Sequence, residues 1–358
     1  MPNHQWNNPS SNSFALSSEE YDLAVPNAAS LMQSLRAFGY DIATAVADLI
    51  DNSITAQANR ISVQFEWNNG NPWISISDNG YGMTEDELFE AMKPGSKNPL
   101  DERSENDLGR FGLGLKTASL SQCKRLTVAS KKDGGRICCR CWDLDVVTQK
   151  NAWLLLKVPT ETAATIIQKH LDKCPSGTIV IWEKIDRIIP GEHVGDEEYQ
   201  RAFLNYAQSV KERISVVFSS YMSGPHKVAF EMNGREISMW DPFMTDNPLT
   251  TRMPTEYLYV NGNEVKIKTF ILPHQKKLSS NEFSLYAGAH GWNAQQGFYI
   301  FRNNRLIVEG SWLLNGFEKA EQYRLARIRI DIGNETDSEW NIDVRKSTAV
   351  PPISIQND

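Results

Sequence analysis

Apolar side chains recur along this chain with two different periods, and the changes between them mark its elements. Over residues 42–54, Ile42, Ala45, Val46, Leu49 and Ile50 return every third or fourth position, which predicts an amphipathic helix. Pro26 precedes a shorter segment over 28–38. The period then drops to two: residues 60–67 alternate as a half-buried strand, Asn68, Asn69 and Gly70 turn the chain, and 73–77 return as its partner. A helix with acidic opening residues follows over 84–92. After it, residues 93–106 form a polar loop broken by Pro94, Gly95 and Pro99, a length that points to function rather than mere connection. Residues 115–120 read as a helix start, 126–130, 136–142, 152–158 and 177–183 as strands, and 163–171 as a helix. A long helix over 197–222 leads into hairpins at 228–237, 256–272 and 297–308, and then a basic helical patch over 320–329. The first 17 residues, rich in Asn, Ser and Gln, read as a flexible arm, and Ser17-Ser18-Glu19-Glu20 as a helix start.

A length of 358 residues predicts two domains rather than one core. No run approaches a membrane span and the N-terminus lacks a signal peptide's apolar run, so the chain is expected in the cytoplasm with no membrane partner. Cys138, Cys139 and Cys141 share one predicted strand, and no Cys-x-x-Cys pair offers a zinc site, so reduced thiols are expected. The net charge of −7 gives no footprint for nucleic acid, and basic runs such as Lys131-Lys132 and Lys276-Lys277 are short.

Several residues carry chemistry of their own. Asp48 and Asn52 stand four apart on the 42–54 helix and so share a face. The neutral oxygen of Asn52 suits a magnesium ion, which prefers oxygen ligands. Gly112 and Gly114 lack a β-carbon, so backbone amides there can close on phosphate oxygens beside the positive end of a helix. A P-loop needs Gly-Lys-Ser/Thr, whereas Lys116 follows Gly114 and Leu115 one place too late. A dinucleotide fingerprint fails for want of a third glycine. Asp78 ends a strand where a carboxylate needs a donor; an adenine amine would serve, and an Asp-Asn-Gly hairpin turn is the alternative.

Four segments stand in order: Asp48-Leu-Ile-Asp-Asn52, then Asp78-Asn-Gly80-Tyr-Gly82-Met83, then Gly109, Arg110, Phe111, Gly112, Leu113, Gly114, Leu115, Lys116 and Thr117, and finally Gly177-Thr178. Together they resemble the GHKL superfamily of ATPases, which includes gyrase B, heat-shock-90-type chaperones, sensor histidine kinases, MutL and the MORC proteins; the resemblance spans residues 20–350. It implies an α+β fold: a two-layer α/β sandwich of the Bergerat ATP-binding type over 18–222, a smaller transducer-like α/β domain over 223–350, an arm over 1–17 and a tail over 351–358. By the same resemblance Asp78 recognises adenine, Gly80, Gly82, Met83 and Thr178 shape its pocket, and Asn52 holds Mg2+. The segment from Gly109 to Lys116 cradles the phosphates, and residues 84–108 form a lid from which Lys93 and Lys97 reach toward them. Asp48 stands where hydrolysing members place a glutamate, one methylene longer, which implies slow hydrolysis. Trp340-Asn-Ile-Asp343-Val-Arg345-Lys346-Ser347 resembles the end of a transducer domain, so Lys346, and less so Arg345, is expected at the γ-phosphate.

The segment around Gly109–Ser119 looks closest to MORC-type and related bacterial ATPases. A sensor kinase needs a phosphoacceptor histidine on a helix ahead of the ATP domain, and only His4 precedes it. The implied activity is Mg-dependent ATP binding and slow hydrolysis that closes two copies as a clamp, with exchange of the N-terminal arm, in a DNA-related or bacterial defence process. A separate effector subunit is a further implied partner, while net charge lends direct DNA binding no support. A non-hydrolysing nucleotide-sensing scaffold and a chaperone-like clamp on protein clients are the alternative readings.

Overall fold

The structure, a computed structural model, describes residues 26–355 apart from 38, 96–113, 192–195, 289, 314–317, 338, 344–345 and 347. In chain order its elements are α1 (Ala28–Arg36), α2 (Ile42–Thr55), β1 (Arg60–Glu66), β2 (Trp73–Asp78), α3 (Glu85–Met92), α4 (Gly114–Leu120), β3 (Arg125–Lys131), β4 (Cys138–Asp143), α5 (Leu144–Lys150), α6 (Glu161–Leu171), β5 (Gly177–Glu183) and α7 (Glu197–Val217). There follow β6 (Ala229–Met232), β7 (Arg235–Glu236), β8 (Thr251–Arg252), β9 (Glu256–Val260), β10 (Asn263–Ile271), α8 (Ser280–Tyr286), β11 (Gly297–Arg302), β12 (Arg305–Ser311) and β13 (Ala326–Ile332). A seven-stranded sheet runs β4-β3-β5-β2-β1-β6-β7, and a six-stranded sheet runs β12-β11-β13-β10-β8 with β9 also on β10. Pairing is antiparallel except for β1 with β6 and β11 with β13. The mixed helix-and-sheet architecture expected from the sequence is thus present.

Alternation within β5 shows how the first sheet is covered on both faces. Val180 and Trp182 join the main core with Met32 of α1, Ile50 of α2 and Phe203 and Val210 of α7, while Ile179 and Ile181 point the other way onto Ala163, Ile167 and Leu171 of α6. The main core runs on into the second sheet through Phe270, Tyr299, Phe301 and Leu306. A separate cluster around Val265, Ile300, Ile330 and Trp340 holds that sheet's opposite face. All five cysteines are free thiols. Among the described residues no helix is long and apolar enough to cross a membrane.

Two expected elements are corrected. Residues 152–158 form no strand: 144–150 coil into α5, capped by the Asp143 side chain, and only Leu156 meets β4, exchanging both backbone hydrogen bonds with Cys141. The basic patch at 320–329 is a single 3-10 turn, Glu321–Tyr323, leading into β13. There Ile328, Ile330 and Ile332 alternate with Arg327, Arg329 and Asp331, and the period of two decides for strand over helix. The arginines tolerate this interior strand because Arg329 pairs with Asp331 and lies 3.9 Å over the Phe301 ring, while Arg327 donates to main-chain carbonyls. The β6–β7 hairpin lies past residue 222 yet pairs with β1, so membership of the first sheet continues beyond that position. The arm at 1–17 lies outside the described residues.

Candidate functional site

Helix α2 begins at its cap, where the Asp41 side chain accepts from the Thr44 amide at 2.9 Å. One further turn on, Asp48 and Asp51 are 4% and 0% exposed, and Asn52 turns outward from the same helix. Two buried carboxylates three residues apart require partners. Arg305, at the start of β12, donates from Nε to Asp51 Oδ1 at 2.7 Å and from Nη2 to Asp48 Oδ1 at 3.4 Å. Lys346 donates from Nζ to Asp51 Oδ2, and the same ammonium lies 3.8 Å from Asp48 Oδ1. Arg305 Nη1 also holds the Lys346 carbonyl at 3.1 Å. Two acids of α2 therefore meet two cations from the C-terminal part of the chain in a neutral, buried cluster. Lys346 takes a left-handed backbone, φ 50°, a strained conformation that persists only where its surroundings enforce it.

Burial raises the Asp48 carboxyl to about 6, against the opposing pull of Lys346 and Arg305, with Asp51 adding to the rise. The Tyr40 hydroxyl donates to Asp48 Oδ2 at 2.9 Å, and burial together with the Asp48 charge pushes that phenol up, so it remains a donor. Burial opposes the charge of Arg305, but Asp51 and Asp48 outweigh it and hold the guanidinium above its ordinary value.

Asp78 closes β2, the central strand of the first sheet, opposite Ile61 on β1 and Thr178 on β5. That position buries it to 5% exposure. Its Oδ2 accepts from Ser53 at 2.8 Å and its Oδ1 from the Gly80 amide at 2.9 Å. Burial raises its carboxyl above the ordinary value, while the Gly80 amide, the Ser53 hydroxyl and the Thr178 amide pull it down. Each carboxylate oxygen has a second lone pair, so the group can accept from a ligand as well. The Ser130 hydroxyl ties the wall together, accepting from the Met83 amide at 2.8 Å and lying 2.8 Å from Thr178 Oγ1. Gly82 has φ 66°, and a β-carbon there would run into the Lys131 carbonyl; one at Gly177 would run into the Asp78 carbonyl. Gly82→Ala is accordingly expected to destabilise the protein by at least about 1–3 kcal/mol from backbone strain alone, read as a lower urea midpoint; an unchanged midpoint would refute the constraint.

Gly114 opens α4, and a β-carbon there would stand 3.9 Å from Asp48 Oδ2, which brings the third segment to the α2 acids. Leu115 packs half-buried against the main core. Lys116 is buried, its ammonium 2.8 Å from the Ala91 carbonyl at the end of α3. Lys93 pairs with Glu90 at 2.5 Å and covers the Phe89 ring. Lys97, Gly109, Arg110, Phe111, Gly112, Leu113 and Arg345 lie outside the described residues.

The family described as histidine kinase-, DNA gyrase B-, and HSP90-like ATPase matches residues 40–178, the span from Tyr40 to Thr178. Residues 40–178 form a GHKL ATPase domain. DNA mismatch repair protein MutL of Thermotoga maritima is 38% identical to the chain over 90 residues, 24% of this chain and 17% of that protein. ATPase morc-1 of Caenorhabditis elegans is 30% identical over 91 residues, 25% of this chain and 10% of that protein. MutL of Histophilus somni is 23% identical over 265 residues, 67% of this chain and 42% of that protein. The matches thus cover less than half of these relatives' own lengths.

Four residues bonded to Asp48 or Asp78, or to their partners, escape sequence reasoning: Tyr40, Asp51, Ser53 and Arg305. Asp51 and Ser53 carry a usable signal, since one lies within the Asp48–Asn52 turn and the other directly follows it, and a polar residue among Leu49, Ile50 and Ile54 invites a partner. Tyr40 and Arg305 carry none, because they reach Asp48 and Asp51 only through tertiary packing.

Proposed function

We propose that the chain binds ATP with magnesium, hydrolyses it slowly to ADP and phosphate, and uses nucleotide occupancy to bring two copies together. The observation that carries this reading is the buried cluster in which Lys346 and Arg305 grip Asp48 and Asp51 of α2. It links the site's acids directly to the second sheet. In this reading residues 18–222, with the β6–β7 hairpin that pairs with β1, are the Bergerat-type nucleotide-binding domain, and the rest of 223–350 is the transducer that reads it.

The residues fit the ligands. Asp78 retains acceptor capacity beside a glycine-lined approach, as an adenine amine requires. Asn52 is exposed on the Asp48 face and makes no side-chain hydrogen bond to another described residue, leaving its oxygen for magnesium. Magnesium takes oxygen ligands and keeps several waters, so one protein oxygen with substrate phosphates suffices to hold it. Bound there, magnesium would neutralise phosphate charge. Asp48, oriented by Tyr40 and raised by burial to about 6, is ionised at neutral pH and poised to take a proton from water. When Lys346 turns to a terminal phosphate it leaves the α2 carboxylates, and the strained backbone at residue 346 favours that exchange. The MutL relatives are DNA mismatch repair proteins, and a DNA-related or defence transaction is the setting we propose for the closed pair.

A non-hydrolysing scaffold is the second reading, favoured by the engagement of Asp48 with Arg305 and Lys346. Asp78→Asn tests nucleotide recognition itself. It should weaken ATP affinity about tenfold or more in calorimetry, since a hydrogen bond to a charged group is worth about 1.5–3 kcal/mol; undiminished affinity would mean that the adenine site is elsewhere.

A further inference from the structure

Between the start of α3 and the β3–β4 hairpin lies a cavity of about 420 Å³ whose cationic side chains have no part in the nucleotide reading. Lys132, Arg136, Arg140 and Lys157 line it, with Glu85 the one acid on its wall. Four cations around one hollow are conspicuous in a chain of net charge −7. Two of them are held in place: Arg140, buried, donates to Glu85 at 2.7 Å and to the Cys139 carbonyl at 2.8 Å, and Lys132 sits on Glu87 at 2.9 Å. Arg136 and Lys157 are exposed and form no ion pair among the described residues. Lys157 is near enough to join Arg140 in holding the Glu85 carboxyl below its usual range. The end of α3 is not the attraction, because a Thr84–Glu87 capping box and the acids Glu85 and Asp86 already neutralise it.

We propose that this cavity binds the phosphate groups of an anionic ligand, with the exposed Arg136 and Lys157 as its clamp and the buried Arg140 at its base. A volume of 420 Å³ suits a small ligand, and paired guanidinium and ammonium groups suit multiply charged phosphates better than a single carboxylate. The source is either a free polyphosphate or the backbone of a nucleic acid, which share this chemistry. Met83 belongs to both walls: it lines the cavity, and its amide joins the Ser130–Thr178 pair opposite Asp78. The proposal does not depend on the ATP assignment.

The full chain is titrated with tripolyphosphate while acylation of lysine amines is followed by mass spectrometry. Lys157 should become protected as the anion saturates, and exposed Lys150, outside the cavity, should not. In Arg136→Glu, an exposed position with no assigned role in nucleotide binding, protection should require about tenfold more tripolyphosphate. Asp78→Asn should leave it unchanged, which separates this site from the nucleotide site. Protection by a short DNA duplex as well would identify a nucleic-acid backbone as the source, whereas protection by tripolyphosphate alone would identify a free polyphosphate. Equal labelling of Lys157 with and without both anions, or an Arg136→Glu titration that matches the wild type, would overturn the proposal.

Discussion

Arg305→Met is expected to lower the unfolding free energy by about 3–5 kcal/mol, the cost of leaving a buried charge without its partner. Arg305 is 1% exposed and, among the described residues, is the group bonded to Asp48, Asp51 and the Lys346 carbonyl together. Methionine matches much of its length but supplies no donor, so Asp51 keeps Lys346 alone and Asp48 keeps Tyr40 and a distant ammonium. A second substitution distinguishes lost charge pairing from lost packing. Arg305→Met combined with Asp51→Leu should recover a large part of the loss, because apolar groups that replace a buried pair of similar volume are tolerated. The urea midpoint of the first unfolding transition reads both. A loss under about 1 kcal/mol in the single variant, a value typical of exposed pairs, would mean that the cluster does not bind the two sheets together.

Asp48→Asn should reduce ATP turnover by about 10²–10⁴-fold, the usual contribution of a positioned general base, with ATP affinity little changed. Asparagine can still accept from Tyr40 but cannot take a proton from water. The wild-type pH profile carries the same signature. Burial has raised Asp48 to about 6, so the carboxyl is protonated at pH 5 and ionised at pH 7, and turnover should rise with pH through that value. Steady-state rates from pH 5 to 8 check the sign. Turnover in Asp48→Asn within a few-fold of the wild type, or a wild-type profile flat across that window, would remove Asp48 from the role of base and leave the scaffold reading.

What the sequence disclosed follows a physical boundary. The helix carrying Asp48 and Asn52 and the strands at 60–67 and 73–77 were legible because burial on one face imposes a period that needs no knowledge of the partner. Asp78, Gly80 and Gly82 were legible as a unit because a tight turn restricts residue choice within a few positions. The Asp51–Arg305 contact joins residues 254 positions apart and leaves no local trace in the sequence. In β13 the arginines concealed an alternating strand, since charge at every second position also resembles a solvated helix face. At 152–158 the apolar content predicts a strand, but the backbone meets its neighbour at one residue only.

Coupling between nucleotide and assembly is the centre of this account, and sedimentation velocity tests it most directly. The chain is compared without nucleotide, with Mg-ATP and with a non-hydrolysable analogue, and ATP turnover is measured on the same samples. The account predicts one species without nucleotide, a sedimentation coefficient near that of a dimer with the analogue, and return to the slower species as ATP is consumed. A coefficient unchanged by the analogue at saturating occupancy would contradict it, because ATP would then bind without joining two copies.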